Sequence, residues 1–153
     1  MAHKKYHVGR FSISDRKSIF SVSSSVEIKD NDIKGLVWLN LDSMYKYSSK
    51  AIQMLFDIVE VRSFAYLLKA IYRSNQNEEY QKSTGGTDTT KTVFVSRDIK
   101  NATIKMVTNG STISIVFPPE NLLGLSDEIS KLADVLSDAV YKTQQKYRNK
   151  KKT

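Results

Sequence analysis

Ile52–Tyr72, IQMLFDIVEVRSFAYLLKAIY, is the stretch on which the fold turns, because it reads as a short strand running directly into a capped helix. Ile52, Met54 and Phe56 alternate as one face of a strand. Asp57 then stands at an N-cap position, with Glu60 three residues on as its capping-box partner. Val61, Phe64, Leu68 and Ile71 follow at helical spacing and form one face of a helix. The same construction returns 61 positions later, where Ile113, Ile115 and Phe117 alternate and Leu122, Leu125, Ile129 and Leu132 take the helix positions. Pro118, Pro119 and Glu120 stand in place of the capping box. The shared register reads as an internal repeat. It predicts Phe56, Val61, Phe64, Leu68 and Ile71 in the core, and any binding surface on the far side of the sheets these helices support.

The 153 residues suit one domain, or two small halves around one core. No run approaches the roughly 20 apolar residues of a membrane span, and the N-terminus lacks the pattern of a signal peptide, so a cytoplasmic location with no membrane contact is expected. There is no cysteine, which excludes disulfides, thiolate metal sites and thiol catalysis. The formal net charge is +8, and its distribution is informative. Lys146, Arg148, Lys150, Lys151 and Lys152 lie in a C-terminal tail, and Lys4, Lys5, Arg10, Arg16 and Lys17 form a second group near the start. Such blocks suit a polyanion, although basic ends also serve solubility.

Outward from the opening stretch, residues 1–5 read as a loose basic arm and Tyr6–Ile13 as a first strand, with Gly9 marking a bulge or a bend within it. In the second strand Phe20, Val22, Val26 and Ile28 alternate with Ser21, Ser23, Ser25 and Glu27, so one face is buried and the other wet. Lys29–Lys34 reads as a turn, and Gly35–Leu41 as a third strand with Trp38 and Asn40 opposite its apolar face. Ser74–Thr90 is polar, contains Gly85-Gly86 and reads as a flexible linker. KTVFVSRDI, NATIKMV and STISIVF are three further strands, the last two joined by an Asn109-Gly110 hairpin. The final helix begins near Pro119 and runs at least to Tyr141. The predicted class is α+β, in two similar antiparallel sheet-plus-helix halves. The first is ββββα and the second βββα with a fourth strand left open. As boundaries we read 6–73 for the first half, 74–90 for the linker, 91–147 for the second half and 148–153 for the basic tail.

Little in the chain suggests catalysis, and no cofactor is implied. The two histidines, His3 and His7, have no acidic partner at ligand spacing, so no metal site is expected. Gly85-Gly86 lacks the frame of a phosphate loop. Glu60 and Glu120 are explained by helix starts, where negative charge is favoured. Binding of single-stranded nucleic acid fits better, since it needs cations beside aromatic rings on which bases stack. Trp38 and Phe94, among small polar residues, would be the platforms. Lys4, Lys5, Tyr6 and Arg10, the loop residues Tyr45, Lys46, Tyr47 and Lys50, and Arg97, Lys100 and Lys105 would supply flanking charge and rings. The exposed helix faces are mixed or acidic, which argues against a recognition helix.

Four strands and a helix, repeated in one short basic chain, resemble the group of Whirly, Pur-alpha and positive-cofactor-four proteins. The segment IVFPPENLLGLSDEISKLADVLSDAV is similar to the coactivators' strand, short cap and dimer-forming helix. The resemblance implies a non-catalytic protein that binds single-stranded DNA, or RNA, on curved sheets. It also implies a homo-oligomer, a dimer or tetramer built through helices and strand edges, serving replication, recombination or transcription. Phage and mobile-element single-strand binders share these traits. Two other readings stay open: a duplex-binding regulator acting through its basic tails, and an assembly protein using its long last helix.

Overall fold

The computed structural model describes residues 3–44, 51–74, 79–85 and 90–151. Among these lie eight strands and two helices. Strands β1 (Lys4–Ser14), β2 (Ser18–Lys29), β3 (Asp32–Ser43) and β4 (Ile52–Phe56) form one antiparallel sheet in that order, sheet A. Helix α1 (Ile58–Ser74) follows. Strands β5 (Glu79–Gly85), β6 (Thr90–Arg97), β7 (Ala102–Thr108) and β8 (Ser111–Phe117) form sheet B, also in sequence order, and α2 (Asn121–Lys151) closes the chain. The architecture is therefore the expected α+β pairing of two sheet-and-helix units.

Each local expectation has a visible cause. Glu60 N–H donates to Asp57 Oδ1 at 2.7 Å and Asp57 N–H donates to Glu60 Oε1 at 3.1 Å, so α1 opens on a complete capping box. The second helix starts differently: the N–H groups of Asn121, Leu122 and Leu123 donate to the carbonyls of Pro118, Pro119 and Glu120, a tight i→i+3 turn in place of side-chain caps. Pairing of Thr108 with Ser111 makes Asn109-Gly110 a two-residue hairpin, with Gly110 at φ 80°. Strand β1 shifts register between His7 and Gly9, and Ser24 Oγ, on the apolar face of β2, donates to the Gly9 carbonyl at this bulge.

Several elements extend beyond their predicted limits. Strand β3 starts at Asp32 and pairs back to Lys29, so the turn read over Lys29–Lys34 shrinks to Asp30 and Asn31. Lys4 and Lys5 belong to β1 and pair with Ile28 and Glu27, so the basic arm is not loose there. Glu79–Gly85, inside the stretch read as a linker, pairs with β6 and completes the fourth strand of sheet B. It is an edge strand with one neighbour, a position that does not demand the period-two apolar pattern of a buried strand. Helix α2, expected to reach at least Tyr141, continues through the basic tail to Lys151.

One continuous core joins both units: Phe20, Leu39, Met54, Phe56 and Phe64 from the first half meet Ile104, Met106, Ile115, Leu122 and Ile129 from the second. All five core residues predicted from the opening stretch are buried. The helices run antiparallel, since Arg62 near the start of α1 pairs with Asp134 at 2.8 Å while Lys69 lies 4.0 Å from Asp127 near the start of α2. At their crossing Ser126 Oγ donates to the Ala65 carbonyl, a contact between residues 61 apart and so between equivalent positions of the repeat. Gly35 lets β3 pass beneath both helices. A Cβ there would lie 2.7 Å from Ile58 Cδ1 and 3.0 Å from Leu136 Cδ2.

The sheets also meet through side chains that satisfy strand edges. Val116 N–H, on the outer edge of β8, donates to Asp15 Oδ2 at 3.0 Å, and Ser18 Oγ donates to the Ser114 carbonyl at 2.7 Å. Lys91 Nζ donates to the Gln53 carbonyl of β4 at 2.8 Å. Those contacts satisfy individual backbone groups on the β4 and β8 edges; β1 and β5 are the edge strands at the opposite sides of the two sheets.

Candidate nucleic-acid interface

Period-two alternation divides each sheet into a face packed on the core and an outer face. On sheet A the register sets Arg10 opposite Ser23, Ser23 opposite Trp38, and Trp38 opposite Leu55. The next row is Ser12, Ser21, Asn40 and Gln53. On sheet B, Phe94 stands opposite Lys105, and Lys105 opposite Ser114. Trp38 and Phe94 therefore both lie on outer faces, each half-buried by its neighbours.

A lysine covers each ring. Lys5 Nζ lies 5.0 Å from the Trp38 ring centroid, and Lys105 Nζ lies 4.7 Å from that of Phe94. Lys105 reaches Phe94 as a direct cross-strand neighbour. Lys5, itself opposite Glu27, comes from two strands away, across β2, where the outer face between Arg10 and Trp38 and on either side of that row carries the small side chains of Ser21, Ser23 and Ser25. This explains why Ser21 and Ser25 are buried although they face outward: they floor the surface and do not present hydroxyls to solvent. The Asn40 Oδ1 beside them is buried with no hydrogen-bond partner among the described residues.

The other expected residues separate by position. Arg10 shares the outer face with Lys5 and Trp38, and His7, opposite Ser25, joins them. Lys4 and Tyr6 project from the other face of β1, toward α2, where the Tyr6 hydroxyl is hydrogen-bonded to Thr143. Arg97 is buried, and its guanidinium donates to the Tyr72 carbonyl at 2.6 Å and to the Asp98 carbonyl at 3.0 Å while resting 5.6 Å from the Tyr72 ring. It caps the C-terminal end of α1 and is not on either outer face. Lys100 is exposed in the β6–β7 turn, which Asp98 holds by accepting from the N–H groups of Lys100 and Asn101. Those hydrogen bonds hold the Asp98 carboxyl below its ordinary value. Tyr45, Lys46, Tyr47 and Lys50 lie outside the described residues.

Leu55 and Val116, both well exposed on outer faces, were not among the expected site residues. The alternation of Ile52, Met54 and Phe56 already places Leu55 on the Trp38 side. Among the described residues no group of three His, Cys, Asp or Glu side chains could hold a metal ion, and no helix is long and apolar enough to cross a membrane.

No protein-family model matches the chain, and no curated protein matches it. Solved structures do. WHY1 from Arabidopsis thaliana is similar at a TM-score of 0.59 and 12% identity, over 94% of this chain and 93% of that one. The plant transcriptional regulator PBF-2 is similar at a TM-score of 0.59 and 12% identity, over 90% of this chain and 87% of that one. At that identity the likeness is one of fold, and it runs through both sheets and both helices: the chain has the fold of the Whirly proteins.

Proposed function

We propose that the protein binds single-stranded nucleic acid, DNA in preference to RNA, without catalysis, by stacking bases on Trp38 and Phe94. The observation that carries this reading is the pairing of one outer-face ring with one lysine on each sheet, at 5.0 and 4.7 Å. An exposed cation–π contact is worth about 0.5–1 kcal/mol. A base stacked on an aromatic ring is worth about 1–3 kcal/mol. A base therefore displaces the ammonium from the ring, and the lysine, still tethered beside it, meets the adjoining phosphate. Duplex DNA offers no free base face, which gives the preference for single strands.

The Whirly-like fold supports the same reading, and the name of one structural neighbour, a transcriptional regulator, makes transcription the first process to test. Self-association belongs to the reading too. Val59 and Tyr66, seven residues apart on α1, are 73% and 72% exposed, and Val135 on α2 is 56% exposed, which suits a helix-to-helix contact with a second copy. Native mass measurement reads the oligomeric state. The binding test is fluorescence anisotropy at low salt with matched single-stranded DNA, single-stranded RNA and duplex. Equal affinity for single strands and duplex sinks the proposal.

A further inference from the structure

The last third of α2 is a basic surface that the outer-face reading leaves unused. From Lys142 to Lys151 the helix carries Lys142, Lys146, Arg148, Lys150 and Lys151 with no acidic residue, whereas residues 121–140 carry Asp127, Glu128, Asp134 and Asp138 against Lys131 alone. Helix polarity does not account for the change of sign. The macrodipole acts within the last turn, and Lys142 and Lys146 stand more than a turn before Lys151.

This basic end lies on sheet A, on the side away from Trp38. Thr143 is buried and its hydroxyl meets Tyr6 of β1, and Tyr147 packs against the core. Helical spacing then assigns the two flanks. Gln144 and Arg148, four apart, border a cleft with Asn31, Asp32 and Ile33 at the β2–β3 turn. Lys142, Lys146 and Lys150, also four apart, occupy the other flank and so look toward β1. Lys142 lies 2.9 Å from Asp138, and Lys150 lies 5.8 Å from the Tyr147 ring.

Strand β1 links the two sides. It is an outer strand, Lys5 sits on its outer face over Trp38, and Lys4, exposed, projects from its helix side. We propose that a single strand bound across the outer face of sheet A continues round the β1 edge and seats its phosphates on the Lys142–Lys146–Lys150 flank of α2, with Lys4 between. The ligand class is a single-stranded nucleic-acid backbone read by charge alone. The proposal rests on the outer-face reading, since it extends a strand already held there.

The test is a titration of single-stranded DNA of about 8 and about 30 nucleotides, below and above the span of one binding face. It compares the wild type with Lys142→Gln, Lys146→Gln and Lys150→Gln combined, glutamine being a good helix former. The 30-mer loses at least about tenfold in affinity, and its log–log salt slope falls by about 2, from three phosphates at about 0.7 each. The 8-mer affinity stays within about twofold, which also shows that the variant is folded. Unchanged 30-mer binding overturns the proposal. An equal loss with both lengths also overturns it, because net charge and not a second seat would then be the cause. Trp38→Ala keeps the two ideas apart: if it leaves 8-mer binding intact the outer-face reading itself fails, and if it abolishes 8-mer binding while the triple variant leaves the 30-mer unchanged, only the extension fails.

Discussion

The proposed role of Trp38 as a stacking platform rests on its neighbours. Small serines on β2 let Lys5 lie across the strand and over the indole, so the ring and its cation are placed together before any ligand arrives. Removing the ring should cost about 1–3 kcal/mol of binding, a loss of roughly 5- to 150-fold. Trp38→Ala and Phe94→Ala are each expected in that range in single-strand titrations, while their melting temperatures stay close to the wild type. Losses under about twofold in both would mean that bases do not stack there. Asp15 works at the same scale for stability. Partial burial pushes its carboxyl up, but donors from Val116, Lys17 and Ser18 together with the Lys17 charge outweigh that and hold it below its ordinary value of 3.8. A carboxyl that binds its proton less readily in the folded state stabilises the fold fully above the unfolded value. That contribution fades as pH falls through the lower folded value. Asp15→Ala should therefore cost about 0.5–1.5 kcal/mol at neutral pH, the net worth of a typical hydrogen bond, because the donors it frees lie near solvent. The gap should narrow in denaturant melts at a pH below 3.8, the ordinary carboxyl value. A gap equal at both pH values would rule out the ionised carboxylate as its source.

The two helices start by different means, and mutation should tell them apart. Asp57→Ala removes a capping box and should destabilise by about 0.5–2 kcal/mol. Glu120→Ala, which touches only a position before a turn closed by backbone carbonyls, should stay within about 0.5 kcal/mol. Equal losses would refute the assignment of one box and one tight turn. The box, the hairpin, the β1 bulge and both apolar helix faces were legible in the sequence, because each is set by residues three to ten apart. Strand β5 was not, because an edge strand gains its stability from backbone pairing with β6 and its own side chains, EYQKSTG, leave no apolar pattern. Arg97 was misread for a related reason. Its parity with Val93 and Val95 put it on the inner face, but a guanidinium there makes sense only once the Tyr72 carbonyl, 25 residues earlier, is brought beside it. Lys4 and Lys5 look alike in sequence, and only their pairing with Ile28 and Glu27 sends them to opposite sides of the sheet.

At the scale of the whole molecule, the repeat could have made two independent units, and the contacts argue against it. Antiparallel helices cross at Ala65 and Ser126, the β8 edge is closed by Asp15 and Ser18 of the first half, and the β4 edge receives Lys91 of the second. The buried residues of both sheets form a single cluster. A core shared in this way cannot lose one half without exposing the apolar face of the other, so unfolding should be all-or-none. Trp38, the only tryptophan in the chain, reports on sheet A, while far-UV circular dichroism reports on both sheets and both helices. The decisive variant lies in the other sheet. Ile104→Ala, at a fully buried position of β7, should cost about 2–5 kcal/mol. With a urea slope of about 1–3 kcal/mol/M, the midpoint should fall by about 1–2 M. If the halves are one cooperative unit, Trp38 fluorescence shifts by the same amount as the circular dichroism, although the substituted residue belongs to the other sheet. A Trp38 midpoint left at the wild-type value, with a second transition appearing in the circular dichroism, would mean that sheet A holds its outer face without sheet B and that the repeat folds as two domains.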